Sequence, residues 1–166
     1  VGTLSGRRGR LAVEGPAIQH RSTVVAGLTS ALAERGLAAT VLLTDHWFRP
    51  EAEIARLTDV GPLQDDPDFA RLADVELEAL LEVPGSPPPT SGWTVIVGPG
   101  AALVEHDVLW YADLPKRYAE AAVAEGQGRN LGRPMLEPTF RRLAYIDWPI
   151  LDRHRASLIE RLDRWI

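Results

Sequence analysis

Short unbroken apolar runs alternate along this chain with longer stretches of helical periodicity. Residues 11–14 (Leu-Ala-Val-Glu) read as a buried strand. Residues 22–35 read as a helix, because Val24, Val25, Leu28, Ala31 and Leu32 fall on one face and Gly36 ends the pattern. Further apolar runs predict strands over 39–44, 93–97, 108–112 and 143–146. Helical spacing predicts helices from Pro50 through 57, over 67–81, from Pro115 through 125, and over 149–166. The last of these carries Leu151, His154, Leu158, Leu162 and Trp165 along one stripe. Proline, glycine and serine mark loops over 83–92 and 126–134, and the pattern also breaks over 58–66.

Continuous apolar strands suit a sheet with both faces covered, which is the habit of parallel sheets. Their alternation with helices predicts an α/β three-layer sandwich with a mainly parallel, five-stranded sheet and residues 11–14 at its centre. The 166 residues suit one domain, with residues 1–10 a flexible start. Ligands of such sheets bind beyond the carboxyl ends of the strands. Here those ends are residues 15–22, 45–49, 98–100 and Asp113.

The first of these ends carries the most chemistry. Gly15-Pro-Ala-Ile-Gln-His20-Arg21-Ser22 lies between a strand and a helix, in the frame of the phosphate-binding loop G-x-x-x-x-G-K-[ST]. Gly15 and Ser22 keep the pattern. His20 stands where the second glycine belongs and puts a side chain into the phosphate concavity. Arg21 replaces the lysine with a broad planar fork. A helix N-terminus with free N–H groups, Ser22 and Thr23 as its caps, and the cation of Arg21 still suit an anion. A helix simply capped by Ser22 is the plainer alternative.

Composition narrows the partners. A net charge of −5 and a pI near 5.4 argue against a nucleic-acid or membrane-surface binder. The absence of cysteine removes disulfides and thiolate metal sites. His20, His46, His106 and His154 are scattered outside zinc-ligand spacings, so no metal site is expected. Without a membrane-length apolar run or an apolar leader, the sequence reads as cytoplasmic.

Taken in order, the motifs resemble the uridine-kinase-like branch of P-loop kinases. The loop at Gly15–Ser22, the acidic-aromatic Asp45-His46-Trp47-Phe48-Arg49-Pro50 and the apolar run ending at Gly98 carry that likeness. A closer similarity lies in Val97-Gly98-Pro99-Gly100-Ala101-Ala102-Leu103, Tyr111-Ala112-Asp113-Leu114-Pro115, Asn130-Leu131-Gly132 and Tyr145-Ile146-Asp147-Trp148. These resemble the kinase-like N-terminal domain of some bacterial class I mannose-6-phosphate isomerase-like proteins; Asp65-Asp66-Pro67-Asp68-Phe69 fits the same pattern. The resemblance implies a P-loop-kinase-like fold and a small-molecule phosphate ester as ligand, with Mg-ATP as the cofactor of an active kinase. It also implies a separate cupin-like zinc domain as the seat of any isomerase activity, a domain this sequence does not contain. Asp45 takes the place of a carboxylate near the acceptor hydroxyl, a catalytic role. Arg129 and Arg133 take the place of lid arginines over transferring phosphates, or are ordinary loop residues. His46 and Arg49 are open to an anionic acceptor or to solvent. Gly98 stands where the kinases show a magnesium-binding Glu. Three functions follow: a degenerate domain binding a phosphorylated sugar or nucleotide, an active small-molecule kinase using Arg21, or an interaction module without ligand.

Overall fold

A computed structural model describes residues 8–17, 21–59, 61, 66, 71–86, 91–126, 128–133 and 138–166. It is an α/β fold around five parallel strands in the order β2-β3-β1-β4-β5. The strands are β1 (Gly9–Glu14), β2 (Ala39–Leu43), β3 (Trp93–Val97), β4 (Val108–Tyr111) and β5 (Arg164–Trp165). The helices are α1 (Arg21–Ala33), α2 (Glu51–Leu57), α3 (Lys116–Ala124), the single turn α4 (Phe140–Arg142) and α5 (Trp148–Leu158). Among the described residues no helix is long and apolar enough to cross a membrane.

Strand β1 is the centre, as the sequence predicts. Leu11 pairs with Val95 of β3 on one side and with Val108 of β4 on the other. Side chains alternate across it. Leu11 and Val13 join Val95, Val97 and Trp110 under Val24, Val25 and Leu28 of α1. Ala12 joins Ile96, Leu109 and Leu158 on the opposite face. Right-handed crossovers explain this split: the step from β1 to β2 runs one way across the sheet, and the later steps to β4 and β5 run back. Helix α1 therefore covers one face and α5 the other, which makes the three layers.

Three predicted elements change. Residues 143–146 are helical, not the fifth strand: Leu143–Asp147 is a π-helical stretch joining α4 to α5. A short apolar run does not distinguish strand from buried helix, and here helix wins. Thr139 caps the start by accepting a hydrogen bond from the Arg142 amide. Pro149 lies inside the continuous helix and has no N–H for the carbonyl four residues back, that of Tyr145. The Ala73 amide donates to that carbonyl instead, at 2.8 Å. This long-range bond draws residues 71–76 into an extended path. The helix expected over 67–81 is thus reduced, within its described part, to a 3₁₀ turn at Leu77–Leu80. Residues 67–70 lie outside the described residues.

The helix expected over 149–166 ends early for a similar reason. After Leu158 and a 3₁₀ turn at Ile159–Arg161, the chain supplies the real fifth strand. Asp163 fixes the switch: its amide donates to the Leu109 carbonyl at 2.9 Å, and its carboxylate accepts the Leu109 amide at 2.8 Å. Trp165 then stacks on Tyr111, with ring centroids 4.9 Å apart. Asp163→Ala orphans the Leu109 amide and should lower unfolding free energy by about 1–3 kcal/mol. Urea denaturation measures this. A solvent-facing helical Asp163 would give a change within about 0.5 kcal/mol.

Candidate functional site at the carboxyl end of the sheet

Strands β1 and β4 are neighbours whose onward connections leave in opposite directions. Their carboxyl ends form the switch point at which ligands of open α/β sheets bind. Gly15 and Ala17 of the loop after β1 are buried there. Helix α1 begins at Arg21, so Ser22 and Thr23 stand inside its first turn with exposed side chains, not at the cap. His20 lies outside the described residues, and so does the side chain of Arg21.

The group at the centre of this end is Glu14, a residue the loop pattern passes over. Its side chain is 1% exposed. Oε1 accepts the Gly100 amide at 2.9 Å, and Oε2 accepts the Ala102 amide at 3.0 Å. His154 of α5 brings Nε2 to 3.2 Å from Oε2, a close contact without hydrogen-bond alignment. Glu14 thereby binds the start of the 3₁₀ turn Ala101–Leu103 to the end of the central strand. The turn requires Gly100 at φ +87°, where an added Cβ would overlap Leu81. The carboxylate absent at Gly98 is thus replaced by one reaching across from β1. It faces backbone amides of the protein and is sealed from solvent. Glu14 and the neighbouring Asp113 together with burial push the Tyr111 phenol upward, burial most of all, so Tyr111 stays neutral.

The other sequence candidates disperse. Asp45 is exposed in the turn Thr44–Trp47 at the end of edge strand β2, and β3 separates that strand from β1. Two strand spacings put it roughly 10 Å across the sheet from the β1 loop. Arg49 has structural partners: its Nε donates to the Ala79 carbonyl at 2.9 Å, and it pairs with Glu53 at 3.1 Å. Arg133 pairs with Glu51 of α2 at 3.0 Å, and exposed Arg129 donates to the Gly128 carbonyl. The described bonds of these two arginines therefore run to groups of the protein itself.

Beneath that arginine loop lies a buried polar unit. Asp147, on the π-helical stretch, is 0% exposed. Its Oδ2 accepts Asn130 Nδ2 at 2.7 Å and the Leu131 amide at 3.2 Å. Its Oδ1 has no hydrogen-bond partner, and the Arg142 Nε, also without one, is 3.9 Å away. Burial pushes the Asp147 carboxyl up to about 6, against the pull of Arg142 and Asn130. The same burial lowers the Arg142 guanidinium, and Asp147 opposes that. A π-helical insertion beside a buried titratable group is a frequent mark of function. Asp147 also lines a cavity of ≈ 30 Å³ between the loops after β1 and β4, with Ala17, Tyr111, Asp113, Lys116 and Arg155 among its other walls. In the sequence, the one signal for Glu14 and Asp147 is a carboxylate closing an apolar run.

Two outcomes follow from these groups. Glu14→Ala leaves the Gly100 and Ala102 amides buried without an acceptor, and each orphan should cost about 1–3 kcal/mol of stability in urea unfolding. Asp147 keeps its proton in the folded chain to about pH 6, whereas its ordinary value is 3.8. Its stabilising protonation is complete below about pH 4 and is lost as pH rises through about 6, worth roughly 3 kcal/mol. Asp147→Asn removes this titration. The stability of the variant relative to the wild type should therefore rise by about 3 kcal/mol between pH 4 and 7, read from urea midpoints at each pH.

Comparison with curated proteins and with solved structures returned no match. One family model matches residues 2–166. By this match the chain belongs to the family described as a domain of unknown function, DUF8485.

Proposed function

We propose that this chain is a P-loop-kinase-like domain that binds the phosphate of a sugar phosphate or nucleotide without efficient phosphoryl transfer, an accessory domain in its biological role. The observation that carries the reading is the self-contained bonding of Glu14. The Gly100 and Ala102 amides face the carboxyl end of the sheet, where free N–H groups would suit a phosphate, and both are taken by a side chain of the protein. The magnesium-binding carboxylate expected after β3 is a glycine, Gly98. Above these loops, Ala17 packs with Ile54, Leu80, Leu131, Ile150 and Leu151 in one apolar cluster, where a kinase needs room for an acceptor. Support for the remaining anion site comes from the place of Gly15 and α1 at the switch point and from the charge of Arg21. The same apolar cluster also favours the second reading, an interaction module without a small-molecule ligand.

Calorimetry separates these readings. Mg-ATP should bind weakly or not at all, and a sugar phosphate such as mannose 6-phosphate should bind. Arg21→Ala should weaken the sugar phosphate by about 10- to 100-fold, the worth of a charge-assisted hydrogen bond. Arg129→Ala and Arg133→Ala should change it far less. Micromolar Mg-ATP with transfer to a hexose would establish an active kinase. Silence from every phosphate ester would leave the interaction module.

A further inference from the structure

We propose that the outer edge of β2 joins two copies of this chain, antiparallel, into one continuous sheet. This inference stands apart from the phosphate reading, whose groups lie in the loop after β1. Strand β2 ends the sheet on one side. The Trp93 amide donates to the Ala38 carbonyl, so the backbone groups of Thr40 and Leu42 also turn toward β3, and those of Ala39, Val41 and Leu43 turn outward. Among the described residues, no hydrogen bond reaches the N–H or carbonyl of Ala39, Val41 or Leu43. The opposite edge, β5, is a strand of only 2 residues, which leaves little to pair. Strand β2 has 5 residues and lacks the devices that blunt an edge. Residues 36–44 contain no charge and no proline, and the register with β3 runs without a bulge.

Charge and shape choose the occupant. Charged residues make up 25% of the chain, yet residues 36–44 hold none. A charged strand meets no counter-charge at this edge, and burying its charge there is costly. Strand β2 is itself an uncharged strand of matching length. A two-fold axis through Val41 sets Val41 opposite Val41 of the second copy, Ala39 opposite Leu43, and Thr40 opposite Leu42. The outward groups of Ala39, Val41 and Leu43 then exchange both of their backbone bonds with the residue opposite. Leu43 is 38% exposed in the single chain, and in this register it covers Ala39, large against small. Because such an axis stands normal to the sheet, Ala39 and Val41 of both copies lie on the one face, where they already pack against the cluster under α1. Helix α1 carries no charged residue between Ser22 and Ala33 and adds no like-charge repulsion on that face. A groove of ≈ 590 Å³, lined by residues 41–43, Trp47 and residues 84–86, borders Leu42. It leaves room beside Leu42 for the small Thr40 of the second copy.

The test is sedimentation equilibrium of the full chain, beside amide hydrogen exchange in dilute and concentrated samples. The mass should rise with concentration from that of one chain to that of two. The Ala39, Val41 and Leu43 amides should gain about tenfold or more protection along with it. The Thr40 and Leu42 amides, which turn toward β3, should be protected in both samples. Leu43→Lys places a charge on each side of the axis and should raise the dissociation constant of the dimer about tenfold or more, with the fold retained by circular dichroism. Val41→Pro is the second variant: it removes an outward N–H and leaves the ladder to β3 its donors, so it should act in the same way. The proposal is overturned by a chain that stays monomeric into the submillimolar range, or by a dimer that both folded variants retain. A dimer whose Ala39, Val41 and Leu43 amides exchange as fast as in the monomer overturns it too. So does a monomer in which an alternating threonine–valine peptide, and not concentration, protects those amides, because the edge then takes a foreign strand.

Discussion

The carboxylate of Glu14 is the constraint on which the upper end of this molecule depends. A buried charge is tolerated only where donors surround it. Glu14 ends the central strand, so no water reaches it, and its donors must come from other elements. The Gly100 and Ala102 amides come from the turn after β3, while His154 of α5 lies 3.2 Å from the carboxylate without donating a hydrogen bond to it. One side chain thereby sets the path of the β3 loop, the depth of Gly100 against Leu81, and the seat of α5 on the sheet. Each of these is the best place for its own atoms only while the others hold.

The lobe above the sheet is built by the same logic of one bond redirecting another. Pro149 leaves the Tyr145 carbonyl without its helical donor, and Ala73 supplies it. That bond brings the segment before Leu77 across the start of α5. Leu77, Leu80 and Leu81 can then close over Ile54, Leu131 and Ile150. Gly132 completes the closure: at φ +62°, with Ile54 and Phe48 where a Cβ would be, this position admits no larger residue without strain. The arginine loop is held down from below by Asp147 through Asn130 and Leu131, and from the side by Arg133 on Glu51. The carboxyl ends of β1 and β4 thus carry a packed lid and a small cavity.

This arrangement bears on how a sequence that only resembles a phosphate loop is read. Gly15, Ser22 and the strand–turn–helix layout are local features, and they place the turn at the switch point regardless of which residues fill it. Whether the turn serves a ligand depends on what the neighbouring loops do with their own donors. Here they are spent on Glu14. The polarity that remains at this end lies between β1 and β4, in carboxylates and cations that already neutralise one another.

The sequence by itself determined the central sheet. The apolar runs at β1, β2, β3 and β4 and the helices α1, α2 and α3 follow from periodicity, because burial on both faces of a parallel strand leaves a continuous hydrophobic signature, whereas the helix expected over 67–81 does not form in its described part. It also determined the loop after β1 and the place of Asp45 at a strand end. The tertiary structure alone decided the rest. Leu-Ala-Tyr-Ile at 143–146 satisfies strand and helix patterns alike, and it was settled by the Thr139 cap on the Arg142 amide and by Ala73, whose amide takes the Tyr145 carbonyl that Pro149 cannot serve. Residues 164–165 became a strand because Leu109 and Tyr111 offered an open edge. Glu14 and Asp147 became the buried polar centres because amides from distant loops converge on them. Periodicity records which side chains leave water, but it does not record which distant donor meets which acceptor.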